Sequence, residues 1–184
     1  MGVFLVLMVF VLFNFPYPAR NENYYLNDSV KPTSTDEIAS AFGPNTIYIK
    51  KIGINVPIVY VGDDKESTFQ EGLEKGVVHY PGTAQLGEPG NAYIFGHSSD
   101  FFFAKGNYKT VFAGLPKLEA GDRIIVTDQE NNQYTYVVRE GRVVENDDLS
   151  VLGQYNYEEK LLTLQTSYPI GTADKRYIVI AELK

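Results

Sequence analysis

The chain has 184 residues, 44% of them hydrophobic and 14% aromatic, and a formal net charge of −7 from 16 Lys and Arg against 23 Asp and Glu. That balance, without any basic stripe, argues against nucleic acid as a partner, because a phosphate backbone needs clustered cations. The absence of cysteine excludes disulfides, iron–sulfur clusters and Cys-ligated zinc, and the two histidines, His79 and His97, are too few for a three-histidine zinc site.

The length suits one domain with a terminal appendage. Gly2–Phe13 is an unbroken apolar run. It is shorter than the ~20 residues of a spanning helix, no Lys or Arg precedes it, and no small-x-small cleavage site follows it. Residues 1–19 are therefore read as a membrane anchor shortened at its start. Residues 20–45 are polar, carry Pro32 and Pro44, and read as a stalk with one short helical turn at Asp36–Phe42.

From Thr46 to Lys184 the pattern is all-β. Thr46–Ile52 and Val56–Val61 are short β-rich runs joined at Gly53-Ile54-Asn55, with Pro57 favouring an edge position for the second. Glu66–Leu73 suits one or two helical turns. Gly76–Thr83 is a strand breaking into a Pro-Gly turn, and Ala92–Gly96 is an apolar strand ending at His97. Phe101–Phe103 and Val111–Leu115 mark an irregular aromatic connection. Arg123–Thr127 and Tyr134–Val144 flank a polar hairpin loop, Asp128–Asn132. Seven or eight short strands with turn signals between them predict a closed barrel or a sandwich.

The last two strands, Leu161–Thr166 and Tyr177–Ala181, enclose a polar loop, with Ser167 ending the first and Arg176 just before the second. If they pair, a hydroxyl and a guanidinium meet at one end of a sheet, a suitable place for a nucleophile and an oxyanion partner. A plain hairpin with a surface Ser and a solvated Arg fits the same pattern. Leu164 and Thr166 are expected to face one the groove and the other the core. The Asp147-Asp148 and Glu158-Glu159 pairs lack the dense oxygen spacing of a calcium loop and read as solvated acid clusters.

The segment TLQTS-YPIGT-ADKR resembles the TLxTC…(P)xGT…R signature of the sortases, the cysteine transpeptidases of bacterial cell surfaces, in a form like classes C, D and E. The similarity covers roughly Thr46 to Lys184. IYIKKIGINVPIV looks like the family's opening hairpin, GVVHYPGTAQLGEPGNAYIFGHSS like the segment carrying its catalytic His, and KLEAGDRIIV like the strand after that segment. The resemblance implies a mainly β fold, a closed eight-stranded barrel with short helices over residues 46–184. It implies a catalytic set of His97, Ser167 and Arg176, with Ser167 in the position of the nucleophilic Cys. It needs no metal or organic cofactor. The implied partners are an LPxTG-like sorting-signal peptide of a surface protein and an amine acceptor, a cell-wall peptide or pilin lysine, at the extracytoplasmic face of the cell membrane.

Thr166, Tyr168 and His79 are the candidate substrate contacts, although a hydrogen-bonded structural role is the first reading of His79 and substrate contact the second. Asp100 is a possible orienting carboxylate for His97. Three explanations of Ser167 stay open: a Cys→Ser change introduced to trap a complex, a natural and slow Ser enzyme, or a pseudoenzyme that binds sorting signals without cleaving them.

Overall fold

The computed structural model describes residues 43–99, 107–154 and 158–184. The expected anchor, most of the stalk, Asp100 and Phe101–Phe103 lie outside the described residues. Eight strands form one closed barrel: β1 (Thr46–Ile49), β2 (Ile54–Tyr60), β3 (Val77–His79), β4 (Gly90–Phe95), β5 (Arg123–Thr127), β6 (Gln133–Glu145), β7 (Lys160–Tyr168) and β8 (Lys175–Leu183). Around the barrel they run β1-β2-β3-β4-β7-β8-β6-β5, and β5 returns to β1. Two seams, β2–β3 and β4–β7, are parallel, and the others are antiparallel. The expected barrel is thus the observed architecture.

Period-two alternation builds the interior. Ile47 and Ile49, Leu162 and Leu164, and Val179 and Ala181 all point inward and are fully buried. Each such side chain contributes roughly 1.5–3 kcal/mol of burial. The α-helix α1 (Glu66–Leu73) lies against β2 and β3. Its Gly72 allows close contact, since a Cβ there would lie 2.8 Å from Val78 Cγ2. Outside the barrel, Phe69 of α1 meets Phe95 edge-on at 5.0 Å and Tyr80 at 5.4 Å, so the helix is fastened to the outer face of β4 by aromatic contacts.

The structure corrects some local expectations. Lys50–Ile52 close the first run as a 3-10 turn, and Gly53 follows in the left-handed conformation at φ 65°, so β2 starts at Ile54 rather than Val56. Pro57 is not on an edge, because the closed barrel has none there. It pairs with Thr46 on one side, while pairing with β3 begins only at Ile58, so its missing N–H costs no bond on that seam. Residues 43–45 of the expected stalk are bound to the barrel. Asn45 N–H donates to the Asp128 carbonyl at 3.0 Å, and Thr127 Oγ1 donates to the Gly43 carbonyl at 2.8 Å.

The acidic pairs also have structural work. Asp148 Oδ1 accepts from Ser150 N–H at 3.0 Å, and Glu159 accepts from Arg139 Nη2 at 2.8 Å. Arg139 sits at a register shift in β6, between Val138 and Glu140, which aims its guanidinium outward at Glu159 and Glu182.

Candidate active site

Ser167 and Arg176 are direct cross-strand partners in the β7–β8 ladder. Leu162, Leu164 and Thr166 take the inward positions of β7, so Gln165 and Ser167 face out. Side chains of directly opposed residues have Cβ atoms roughly 4.5–5.5 Å apart, which starts the Ser167 and Arg176 side chains from neighbouring positions on the outer face. Arg176 is steadied by its own loop: Nη1 donates to the Ala173 carbonyl at 2.9 Å and to the Lys175 carbonyl at 3.0 Å. Its remaining N–H donors have no partner among the described residues.

His97 reaches the same place along the parallel β4–β7 seam. The last pair of that register is Phe95 with Gln165. Gly96 then extends it, donating its N–H to the Gln165 carbonyl at 3.1 Å and accepting from Thr166 Oγ1 at 2.8 Å. One more residue sets His97 level with Ser167. Beyond it, the His97 carbonyl accepts from Phe112 N–H at 2.8 Å. Gly96 is required by close approach, because a Cβ would meet Phe112 Cδ2 and Val77 Cγ1 at 2.9 Å.

The loops around the three residues are joined to each other. Gly171 N–H donates to Ser99 Oγ at 2.9 Å, linking the β7–β8 loop to the segment after His97, and Gly171 takes a φ of 91° that favours glycine. Thr172 closes a tight turn onto the Pro169 carbonyl at 3.0 Å, and the Tyr168–Pro169 peptide is cis. Tyr168 packs its ring against Tyr177 at 5.8 Å at the end of β7, adjacent to Ser167.

The structure therefore brings His97, Ser167 and Arg176 together, whereas Tyr168 takes the inward phase of β7 with Leu164 and Thr166 and packs on Tyr177, which lies against the core. It separates two others. Thr166 is 2% exposed and spends its hydroxyl on Gly96, so it braces the site from beneath instead of lining it. Leu164 and Thr166 share the inward face, two residues apart in a period-two strand, so the expected division between groove and core is wrong. His79 pairs with Ile94, is 2% exposed, stacks on Tyr60 at 4.8 Å and holds the Ala84 carbonyl at 2.9 Å through Nε2. Burial pushes its imidazole below the usual histidine value, with the bond to Ala84 opposing. This is the structural role, not a position beside Ser167.

Sequence reading passed over Gly96, Ser99, Gln165 and Tyr93. Gln165 had a signal, since it lies two residues before Ser167 and so shares its face. The others become visible only through the β4–β7 register.

Chemically, the arrangement offers a hydroxyl, an imidazole level with it, and a guanidinium that stays charged at any working pH. It suits acyl transfer, with proton removal by the imidazole and oxyanion stabilisation by the guanidinium. No group of three or more His, Asp or Glu that could hold a metal occurs among the described residues.

A family model described as Sortase domain matches residues 47–184. Sortase D of Bacillus subtilis (strain 168) is 32% identical over 157 residues, covering 79% of this chain and 70% of the relative. The solved structure of a Clostridium perfringens Sortase D5 transpeptidase is 30% identical with a TM-score of 0.60, covering 83% of this chain and 90% of that one. Sortase C1 of Streptococcus agalactiae is 25% identical with a TM-score of 0.63, covering 76% and 66% of the two chains.

Proposed function

The chain belongs to the sortase family, and from that premise we propose that it takes an LPxTG-like sorting signal and passes its acyl part to an amine acceptor. The observation that carries this reading is the cross-strand pair Ser167–Arg176 with His97 alongside. In the reaction, Ser167 Oγ attacks the threonine carbonyl carbon while His97 takes the hydroxyl proton. The oxyanion formed on the carbonyl oxygen lies against Arg176. Collapse breaks the Thr–Gly bond, His97 returns the proton to the departing glycine amine, and an ester joins the peptide to Ser167. The acceptor amine then attacks the ester, yielding a new amide and restoring the Ser167 hydroxyl. The acceptor is a cell-wall peptide or a pilin lysine, and the apolar residues 1–19 hold the domain at the extracytoplasmic face of the cell membrane.

Ser167 itself favours a second reading. A thiol near pKa ~8.5 is readily ionised by a neighbouring cation, whereas a hydroxyl is not, so no stable ion pair with His97 forms and the attack rests on general-base catalysis alone. The same surface would then bind sorting signals without cleaving them. The two readings separate when the unmodified chain and Ser167→Cys are each incubated with a Leu-Pro-x-Thr-Gly peptide and an amine, with products read by mass spectrometry. Transfer by the unmodified chain establishes a Ser transpeptidase. Transfer only with Cys, lost again in His97→Ala or Arg176→Ala, supports the binding reading for this chain. No transfer and no peptide binding by either form removes both.

A further inference from the structure

We propose that Gln165 binds substrate: its side-chain amide, aimed by the Tyr93 hydroxyl, donates to a main-chain carbonyl of the peptide that Ser167 receives. The inference rests on the peptide-transfer reading above and concerns the same face of the barrel.

Gln165 faces outward on β7 two positions before Ser167, between Phe95 of β4 and Ile178 of β8. Tyr93 O–H donates to Gln165 Oε1. With Oε1 on the Tyr93 hydroxyl, the NH2 group, with two donors, is turned the other way. Neither donor has a partner among the described residues. Tyr93 cannot easily swing aside, being 2% exposed and set edge-on against Tyr80 at 6.1 Å. Burial holds its hydroxyl well above the usual tyrosine range, with the charge of Arg176 pulling the other way, so it remains a donor at working pH. By register, Tyr93 of β4, Gln165 and Ser167 of β7 and Arg176 of β8 all take outward positions of adjacent strands.

The residues opposite Gln165 on the two flanking strands are apolar. Phe95 packs on Phe69, and Ile178 is fully buried. Gln165 is half-buried, so a peptide seated on this face would cover the amide, and a peptide carbonyl would then take up its donors. The spacing selects which carbonyl. Strand residues rise about 3.3 Å each, so Gln165 lies roughly 6.6 Å from Ser167 along β7. In an extended peptide, carbonyls two residues apart point to the same side and are separated by the same distance. The acyl half must stay bound after the amine half leaves, so the carbonyl lies on the N-terminal side of the scissile bond. In a Leu-Pro-x-Thr-Gly probe, with the threonine carbonyl at Ser167, it is the proline carbonyl.

The test is a coupling cycle on the full chain, read as affinity by fluorescence anisotropy. One labelled probe is the Leu-Pro-x-Thr-Gly peptide, and the other carries an alkene isostere in place of the Pro–x peptide bond, which deletes the proline carbonyl. Loss of a neutral hydrogen bond of this kind weakens binding about 2- to 10-fold. The wild type is expected to lose that factor on going to the isostere, Gln165→Leu to lose it with the parent peptide, and the two losses not to multiply. Tyr93→Phe should lose a smaller factor with the parent peptide and none with the isostere. Gln165→Glu keeps the size and the Tyr93 bond but presents oxygen in place of the donors, and should bind the parent no better than Gln165→Leu. Losses that multiply, an unchanged Gln165→Leu, or a variant weakened equally toward both probes would overturn this inference and leave the peptide reading standing. Absence of parent-peptide binding by both wild type and Ser167→Cys would overturn the two together.

Discussion

Replacing Gly96 by alanine tests whether the position of His97 is set by packing beneath it. A Cβ at residue 96 would lie 2.9 Å from Phe112 Cδ2, 2.9 Å from Val77 Cγ1 and 3.0 Å from Val111 Cγ1. Favourable carbon–carbon contacts lie at ~3.5–4.0 Å, so each of the three is too close by about 0.5–1 Å. None of the three side chains can retreat into solvent, since Val77 and Phe112 are 0% exposed and Val111 6%. Overpacking of this kind costs about 1–3 kcal/mol. Stiffening of the unfolded chain by a Gly→Ala change offsets about 0.4–1 kcal/mol. A net destabilisation of about 1–2 kcal/mol is expected. Urea titration should show an unchanged m-value and a midpoint lowered by about 0.5–1 M, taking m at ~2 kcal/mol/M. Because Phe112 N–H holds the His97 carbonyl, a displaced Phe112 carries His97 with it, so peptide affinity should fall as well. Gly62→Ala is the control, as nothing lies within 4 Å of its added methyl. If Gly96→Ala proves as stable as Gly62→Ala, the packing account is refuted.

Thr166→Val keeps the shape of the side chain but strips the Gly96 carbonyl of its buried donor. A loss of about 1–3 kcal/mol is expected by denaturant titration, and a loss under about 0.5 kcal/mol would show that the brace is dispensable. His79 titrates below its unfolded value near 6.5 because burial disfavours its charged form. The unfolded chain therefore binds more protons just below pH 6.5, and folding stability falls as the pH drops from 6.5 toward the folded value. Stability followed between pH 7.5 and 5 should show this downward slope, and His79→Gln, whose amide still reaches the Ala84 carbonyl, should flatten it. Equal slopes in the two proteins would contradict the assignment. Arg176→Lys should lower any peptide transfer more than peptide affinity, since the ammonium lacks the fork that keeps two donors on the loop carbonyls while others face the substrate. A fall in affinity alone would refute it.

The hairpin of Ser167 and Arg176 was legible because it is local, while the strand pattern left barrel and sandwich both open and the resemblance chose the barrel. A period-two strand, a polar loop and a second strand lie within one short stretch, and their pairing follows from the pattern. His97 was found through resemblance alone, because nothing in its own neighbourhood says which strand will run beside it. Gly96, Ser99, Tyr93 and Gln165 acquire meaning from bonds between residues about 70 positions apart, which no window of sequence contains. His79 was drawn toward the site by its residue type, while its register with Ile94 turned it inward. Leu164 and Thr166 were divided between two faces although a strand gives them one. Pro57 was assigned an edge that barrel closure abolishes.

The parallel β4–β7 seam has a consequence for when reactivity appears. Ser167 and Arg176 lie nine residues apart on a single hairpin, a unit that forms in about 1–10 μs. His97 arrives from a distant strand across a parallel seam, a kind of pairing that forms slowly because a long loop must first be closed. On the proposed reading, the oxyanion partner is thus in place before the base. A chain caught before closure would then carry a hydroxyl with no imidazole beside it. Completion of the barrel would itself be the arming step, and an unfinished copy would be inert toward its neighbours.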